Sequence, residues 1–197
     1  MGTYKYAALM GAACYPGDAL TLALGGVLSQ SAIHGLGTEE LGRLRDHYFP
    51  AAGGETALCF ERPDGVSGCP AFRDDEFADI VKLLLDHRRD DSDGTRWLAH
   101  AVATACLDNN HLWQDMGLPN RDALSELLRR YFGLLYAKNT HNMKWKRFFY
   151  KQLCDRAQVQ VCKAPSCQVC TDFDACFGPE DDSGFATLAR LGQDIGC

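Results

Sequence analysis
The amino-acid sequence predicts an all-α fold, a helical bundle with a C-terminal cysteine-rich metal-binding loop. Three observations carry that expectation. Apolar residues recur with the period of a buried helical face in two separate runs. No run alternates with the period of two that marks a half-buried strand. Four cysteines then crowd into fifteen residues near the C-terminus, where long apolar runs stop. The expected division is a helical bundle domain over residues 1–156 and a cysteine-rich cluster-binding segment over 157–197 packed on it.

Taken in chain order, Asp18 to His34 reads as helix, although Gly25-Gly26 weakens its interior. Thr38 is placed to cap a short helix that ends near Phe49-Pro50. Ala51 to Pro70 is rich in glycine and proline and reads as a long loop. Phe77, Ile80, Val81, Leu84 and Leu85 define one helical face. Asp90 to Gly94 is a polar turn, since it lacks the later glutamate of a calcium loop. Trp97 to Asn110 is an alanine-rich helix. Leu124, Leu127, Leu128, Tyr131, Leu134 and Leu135 form the next face, opened by Pro119-Asn120 with Asn120 as N-cap.

With 46% hydrophobic and 23% charged residues, the chain has the composition of an ordinary globular protein able to bury a core. A net charge of −6 argues against nucleic acid as a partner. The apolar stretches Tyr6 to Ala13 and Ala19 to Leu28 are too short for a signal-peptide core and for a membrane span. The expected setting is therefore the cytoplasm, with no membrane association. In a reducing compartment, clustered cysteines serve more often as metal ligands than as disulfides.

Cys162, Cys167, Cys170 and Cys176 stand in the pattern C-x4-C-x2-C-x5-C. Thiolates are soft donors that suit zinc, copper(I) and iron–sulfur clusters. Structural zinc sites set two knuckles well apart in sequence, whereas these four are compressed as in cluster proteins. Spacing favours an iron–sulfur cluster and leaves zinc open. Cys154, eight residues before Cys162, is a candidate accessory ligand. Cys106 reads as a small core residue, and Cys14, Cys59, Cys69 and Cys197 have no partner at ligand spacing.

His141 to Arg156 reads as a helix that leads into the cluster. Trp145, Phe148, Phe149 and Leu153 share its apolar side, with Lys144, Arg147 and Lys151 as a basic stripe beside it. Between positions 138 and 156 six cations oppose one anion, a local excess of five in a chain of net −6. That stripe is a candidate anion or partner face; the competing reading is a solvated helix surface.

The residues around these motifs carry a resemblance. His111-Leu-Trp-Gln-Asp-Met-Gly-Leu118, the run Met143 to Cys154, and the segment from Cys162 to Gly178 resemble the NifQ family of nitrogen-fixation proteins. The similarity is close over positions 95–180 and looser before them, with no departure at the four cysteines. It implies a cytoplasmic protein that holds an iron–sulfur cluster of three-iron type incorporating molybdenum on Cys162, Cys167, Cys170 and Cys176. It further implies donation of that molybdenum to iron–molybdenum cofactor assembly. The implied partners are the cofactor scaffold NifEN, the nitrogenase iron protein, and molybdate or a molybdenum–sulfur species. No catalytic triad, phosphate loop or paired-histidine motif is present, so a metal carrier is expected rather than a conventional enzyme. The rivals are a zinc-stabilised interaction protein and an iron–sulfur electron-transfer protein.

Overall fold
The computed structural model describes residues 2–60, 71–158, 173–178 and 180, and among them every regular element is helical. In order these are α1 (Gly2–Gly11), α2 (Ala19–Gln30), α3 (Thr38–Tyr48), a 3-10 turn (Gly54–Phe60), α4 (Ala71–Leu85) and α5 (Asp93–Cys106). There follow α6 (Leu112–Asp115), α7 (Arg121–Tyr131), α8 (Gly133–Tyr136), α9 (Trp145–Arg156) and α10 (Phe173–Phe177). The expected all-α class is observed. Cys69, Cys162, Cys167, Cys170, Cys197 and the loop 61–70 lie outside the described residues.

α5 is the hub. Trp97, Leu98, Ala99 and the run Ala101 to Cys106 are all buried, as in a helix covered on most of its surface. α2 and α4 pack against it, α1 rests on α2, and α9 packs on α4. α2 begins where Asp18 accepts from the amides of Leu20 and Thr21, each at 3.1 Å, which satisfies two orphan donors of the first turn. Its Gly25-Gly26 pair is buried rather than disruptive. A Cβ on Gly26 would stand 2.1 Å from the carbonyl oxygen of Met116, so a missing side chain lets α2 lie directly on the loop after α6.

Several boundaries differ from expectation. Gly37, not Thr38, is the N-cap of α3, and Glu40 reaches back to its amide. The 3-10 turn inside the expected loop buries Cys59 and Phe60, the latter's ring 5.8 Å from Phe49. α1 emerges from a segment with little amphipathic pattern, anchored by buried Tyr6 and Leu9. The expected continuous helix from Leu124 to Leu135 breaks at Phe132. There φ −130 and ψ 47 leave helical space, and the Tyr131 carbonyl accepts from Arg89 N–H at 2.9 Å. Leu134 is therefore 71% exposed instead of core. Asn120 does cap α7, accepting from Ala123 N–H at 2.8 Å. In the polar turn, the Asp90 carboxylate accepts from Ser92 N–H at 3.0 Å and Thr95 Oγ1 at 2.7 Å. That carboxylate helps to hold the start of α5.

Candidate functional site
α9 is positioned by its aromatic side. Trp145, Phe148 and Phe149 are buried; the Trp145 ring stacks 5.8 Å from Tyr136, and its Nε1–H donates to Ser125 Oγ at 3.1 Å. The turn before it is pinned by Asn139, which accepts from Met143 N–H and donates to Met143 O, both at 2.9 Å. Asn142 takes the left-handed conformation there (φ 54), one that asparagine tolerates better than most residues. Lys144 then occupies the N-cap of α9 without offering a side-chain acceptor to its first turn.

The C-terminal segment is seated on this helix start. Lys144 N–H donates to the carbonyl of Cys176 at 2.8 Å, and Lys144 Nζ donates to the carbonyl of Asp174 at 3.1 Å. Phe173 and Phe177 stack at 4.7 Å, and Cys176 and Phe177 pack against the core. Gly178 N–H turns back onto Asp174 O at 2.9 Å. Two residues on, Glu180 pairs with Arg121, its side chain only 8% exposed. Arg121 also donates to the carbonyls of Asn142 and Met143, at 3.0 and 2.8 Å. One arginine thus holds both the turn that starts α9 and the residue that follows α10.

Of the four expected ligands, Cys176 is the one within the described residues, half-buried on α10. Among those residues no group of three or more His, Cys, Asp or Glu converges as a metal site. Cys154 is half-buried near the far end of α9, roughly 15 Å along the axis from Lys144. Cys14 is exposed, while Cys59 and Cys106 are buried in the body. Burial pushes the Cys59 thiol up, and pushes that of Cys106 up to about 12, so both stay protonated and poor as ligands at neutral pH.

The basic stripe divides. Lys144 is engaged with α10, and Lys151 pairs with Asp155 one turn on at 2.9 Å. Arg147 is exposed. The residue that the stripe omitted is Lys146. Its Nζ lies 2.6 Å from Asp115 Oδ2 and 2.8 Å from the carbonyl of Asp108. The pair is sheltered, with 1% of the Asp115 side chain and 16% of the Lys146 side chain exposed. Asn110 Nδ2 donates to the other Asp115 oxygen at 2.8 Å, and Gln30 Nε2 to its main-chain carbonyl at 2.8 Å. The signal available in sequence was an acid set among the apolar residues of Leu112 to Leu118, which must find a cation if buried.

These elements border a cavity of about 470 Å³ that is open to solvent. Asn109, Asn110 and His111 from the α5–α6 connection line it together with Lys144, Lys146 and Arg147 from the start of α9. Ala175 of α10 and Glu180 close its C-terminal side. A polar recess lined by three cationic side chains and one acidic one favours anions over cations.

The fold and site define a class: an all-helical protein whose last motif cysteine is seated on the cationic start of a helix. A sequence model of the NifQ family matches residues 18–178, a span that contains all four motif cysteines. The chain belongs to the NifQ family, proteins of nitrogen fixation. It is 40% identical over 151 residues to the protein NifQ of Azotobacter vinelandii, covering 74% of this chain and 77% of that one. It is 36% identical over 146 residues to NifQ of Rhodobacter capsulatus, covering 74% and 76%. A NifQ homolog of Sinorhizobium fredii is 32% identical over 180 residues, 91% of this chain and 76% of that one. No solved structure matches the chain. Among the described residues no helix is long and apolar enough to cross a membrane.

Proposed function
We propose that this protein holds an iron–sulfur cluster that incorporates molybdenum, and donates the molybdenum to assembly of the nitrogenase iron–molybdenum cofactor. The observation that carries the reading is the C-x4-C-x2-C-x5-C motif, whose last member is seated beside Lys144. The residues present suit such a group. Cys162, Cys167, Cys170 and Cys176 supply only thiolates, the donors an iron–sulfur core takes. Cys176 sits half-buried on an outer helix, unlike the sealed Cys106. The cationic groups of Lys144 and Arg147 offset the negative charge that several thiolates and sulfides bring together.

When bound, the cluster supplies sulfur ligands and an open metal position for molybdenum, which reaches cells as an oxyanion. The chain's own part is positional. The Lys144 amide fixes α10 and with it Cys176, while the Arg121–Glu180 pair holds the chain just beyond. Exposed Arg147 faces the partners. Those partners are the scaffold NifEN and the nitrogenase iron protein, met in the cytoplasm. The protein acts as a carrier of metal and not as a conventional enzyme. Metal analysis of protein purified without oxygen tests the reading. Iron together with molybdenum is expected. Iron alone would favour electron transfer, and zinc alone would sink the proposal.

A further inference from the structure
The cavity between the α5–α6 connection and the start of α9 contains no cysteine among its described lining residues, and its charge is unbalanced. Among those residues Lys144, Lys146 and Arg147 carry three positive charges against the one negative charge of Glu180, an excess of two. Arg121 and Asp115, which pair with Glu180 and Lys146, cancel each other. The donors are also in surplus. Of the three N–H bonds on each ammonium, Lys144 uses one on Asp174 and Lys146 uses two, on Asp115 and Asp108. Arg147 is exposed and its side chain has no hydrogen-bond or ion-pair partner among the described residues, so its donor fork is unengaged there. The first turn of α9 lacks a capping side chain, and its amides add positive potential at the same end of the recess. His111, 3.8 Å from Glu180, and Asn109 contribute further polar groups to the lining.

We propose that this cavity is a binding site for a tetrahedral dianionic oxyanion of the molybdate and sulfate type. Two net positive charges among the described lining residues match such an anion, and the ammonium and guanidinium groups provide the charge-assisted hydrogen bonds that hold it. Lys146 cannot swing away, because its pair with buried Asp115 fixes the ammonium at the floor. Ala175 is the residue before Cys176 and lines the cavity, so a bound oxyanion lies next to the helix that carries the last motif cysteine. The identification of molybdate as the physiological anion rests on the proposed function; the oxyanion site itself does not.

Equilibrium dialysis of the full chain against sulfate and against molybdate tests the site. Sulfate is not incorporated into a cluster, so its binding reads the cavity alone, while iron content of the same preparation reads the cluster. Saturable binding of about one anion per chain is expected. It should weaken about tenfold in R147Q and again in K144Q, the size of one hydrogen bond to a charged group. K151Q, on the same helix but outside the cavity, should bind as the unmodified protein does. Absence of saturable sulfate and molybdate binding overturns the site, even if iron is present. Equal weakening in K151Q also overturns it, since a diffuse field rather than a cavity would then be responsible. Oxyanion binding by protein that carries no iron would keep the site and remove the cluster reading.

Discussion

Lys144 N–H and the Cys176 carbonyl are 2.8 Å apart, one hydrogen bond between the start of the basic helix and the last cysteine of the motif. The bond runs through the backbone, so a side-chain change at Lys144 does not remove it. Lys144 has φ −51, which a proline ring accepts. Lys144→Pro therefore deletes the N–H with little strain at that residue, and Lys144→Gln deletes only the ammonium. With metal stripped, Cys176 should alkylate about fivefold faster in K144P than in K144Q, the worth of roughly 1 kcal/mol. Iodoacetamide labelling read by mass spectrometry checks this. Equal rates would mean that α10 is held by Phe177 packing and the Arg121–Glu180 pair instead.

The Asp115–Lys146 pair should matter more to stability than any exposed ion pair of the molecule. Removing one partner leaves the other charged and sheltered, a loss of about 3 kcal/mol for such sites. Lys146→Met strands an almost fully buried carboxylate and should lower the melting temperature by several degrees, at about 2–4 °C per kcal/mol for a chain of this size. Lys151→Met breaks an exposed pair with Asp155 and should change it little. A thermal melt of the two variants compares them directly. Similar melting points would show that Asp115 is better solvated than its surroundings indicate.

The helices were legible wherever one side of the chain is wet and the other dry. Asn120 and the face from Phe77 to Leu85 are of that kind. α1 was not, because Tyr6 and Leu9 anchor it without a strong periodic pattern. The break at Phe132 was missed for the opposite reason: the spacing of Leu134 and Leu135 continues the period, but the Tyr131 carbonyl is claimed by Arg89 from another part of the chain. At the site, spacing singled out the cysteines as candidates, of which Cys176 is the one within the described residues, and the cationic excess could be counted. Spacing could not tell which cation turns inward. The stripe Lys144, Arg147 and Lys151 follows one helical face, whereas the sheltered charge is Lys146, drawn in by an aspartate thirty-one positions earlier.

Gly26 illustrates a residue whose role appears only in three dimensions. Its added Cβ would fall 2.1 Å from Met116 O and 2.9 Å from Gly117 Cα. Backbone cannot move aside as a flexible side chain can, so Gly26→Ala should destabilise by about 2–3 kcal/mol through overpacking, despite alanine's better helix propensity. Gly42→Ala, where nothing stands within 4 Å of the new Cβ, should be neutral or stabilising. Chemical denaturation of both variants separates the two outcomes.

Alkaline pH should weaken the fold through groups that burial keeps neutral. The Cys106 thiol is pushed up to about 12 mainly by burial, with Lys146 pulling the other way. Tyr48 is raised to about 12 for the same leading reason. In each case the unfolded chain ionises first as pH rises. Their stabilising contribution is fully present below about pH 8.5, the ordinary thiol range. It is lost as pH climbs toward 12. Denaturation midpoints should thus hold steady from pH 7 to 8 and fall above about 9. Cys106→Ala should flatten part of that fall. In the native protein at pH 7.5 Cys106 should resist thiol reagents; rapid labelling would show that the body opens locally around it.

The cysteine motif and the helical body should separate experimentally. The described core runs from Leu9 to Phe149, with Cys176 and Phe177 among the residues packed on its edge. Cys162 and Cys167 lie outside the described residues, and their replacement by serine tests whether that core stands without the motif. If the four thiolates hold an iron–sulfur cluster, the double variant should lose the brown colour and iron content of anaerobically prepared protein. Two thiolates are too few for a cluster that takes cysteine ligands at three or more irons. Far-UV circular dichroism should remain close to that of the unmodified chain, because the helical body does not depend on the metal for its packing. A metal that instead supplied folding energy outright would take the helical signal with it. Collapse of the helical signal in the double variant would make the cluster a folding element and would undo the division of the chain near residue 156. Retained colour and iron with retained helicity would move the ligands elsewhere, with Cys154 and Cys176 the first to be replaced.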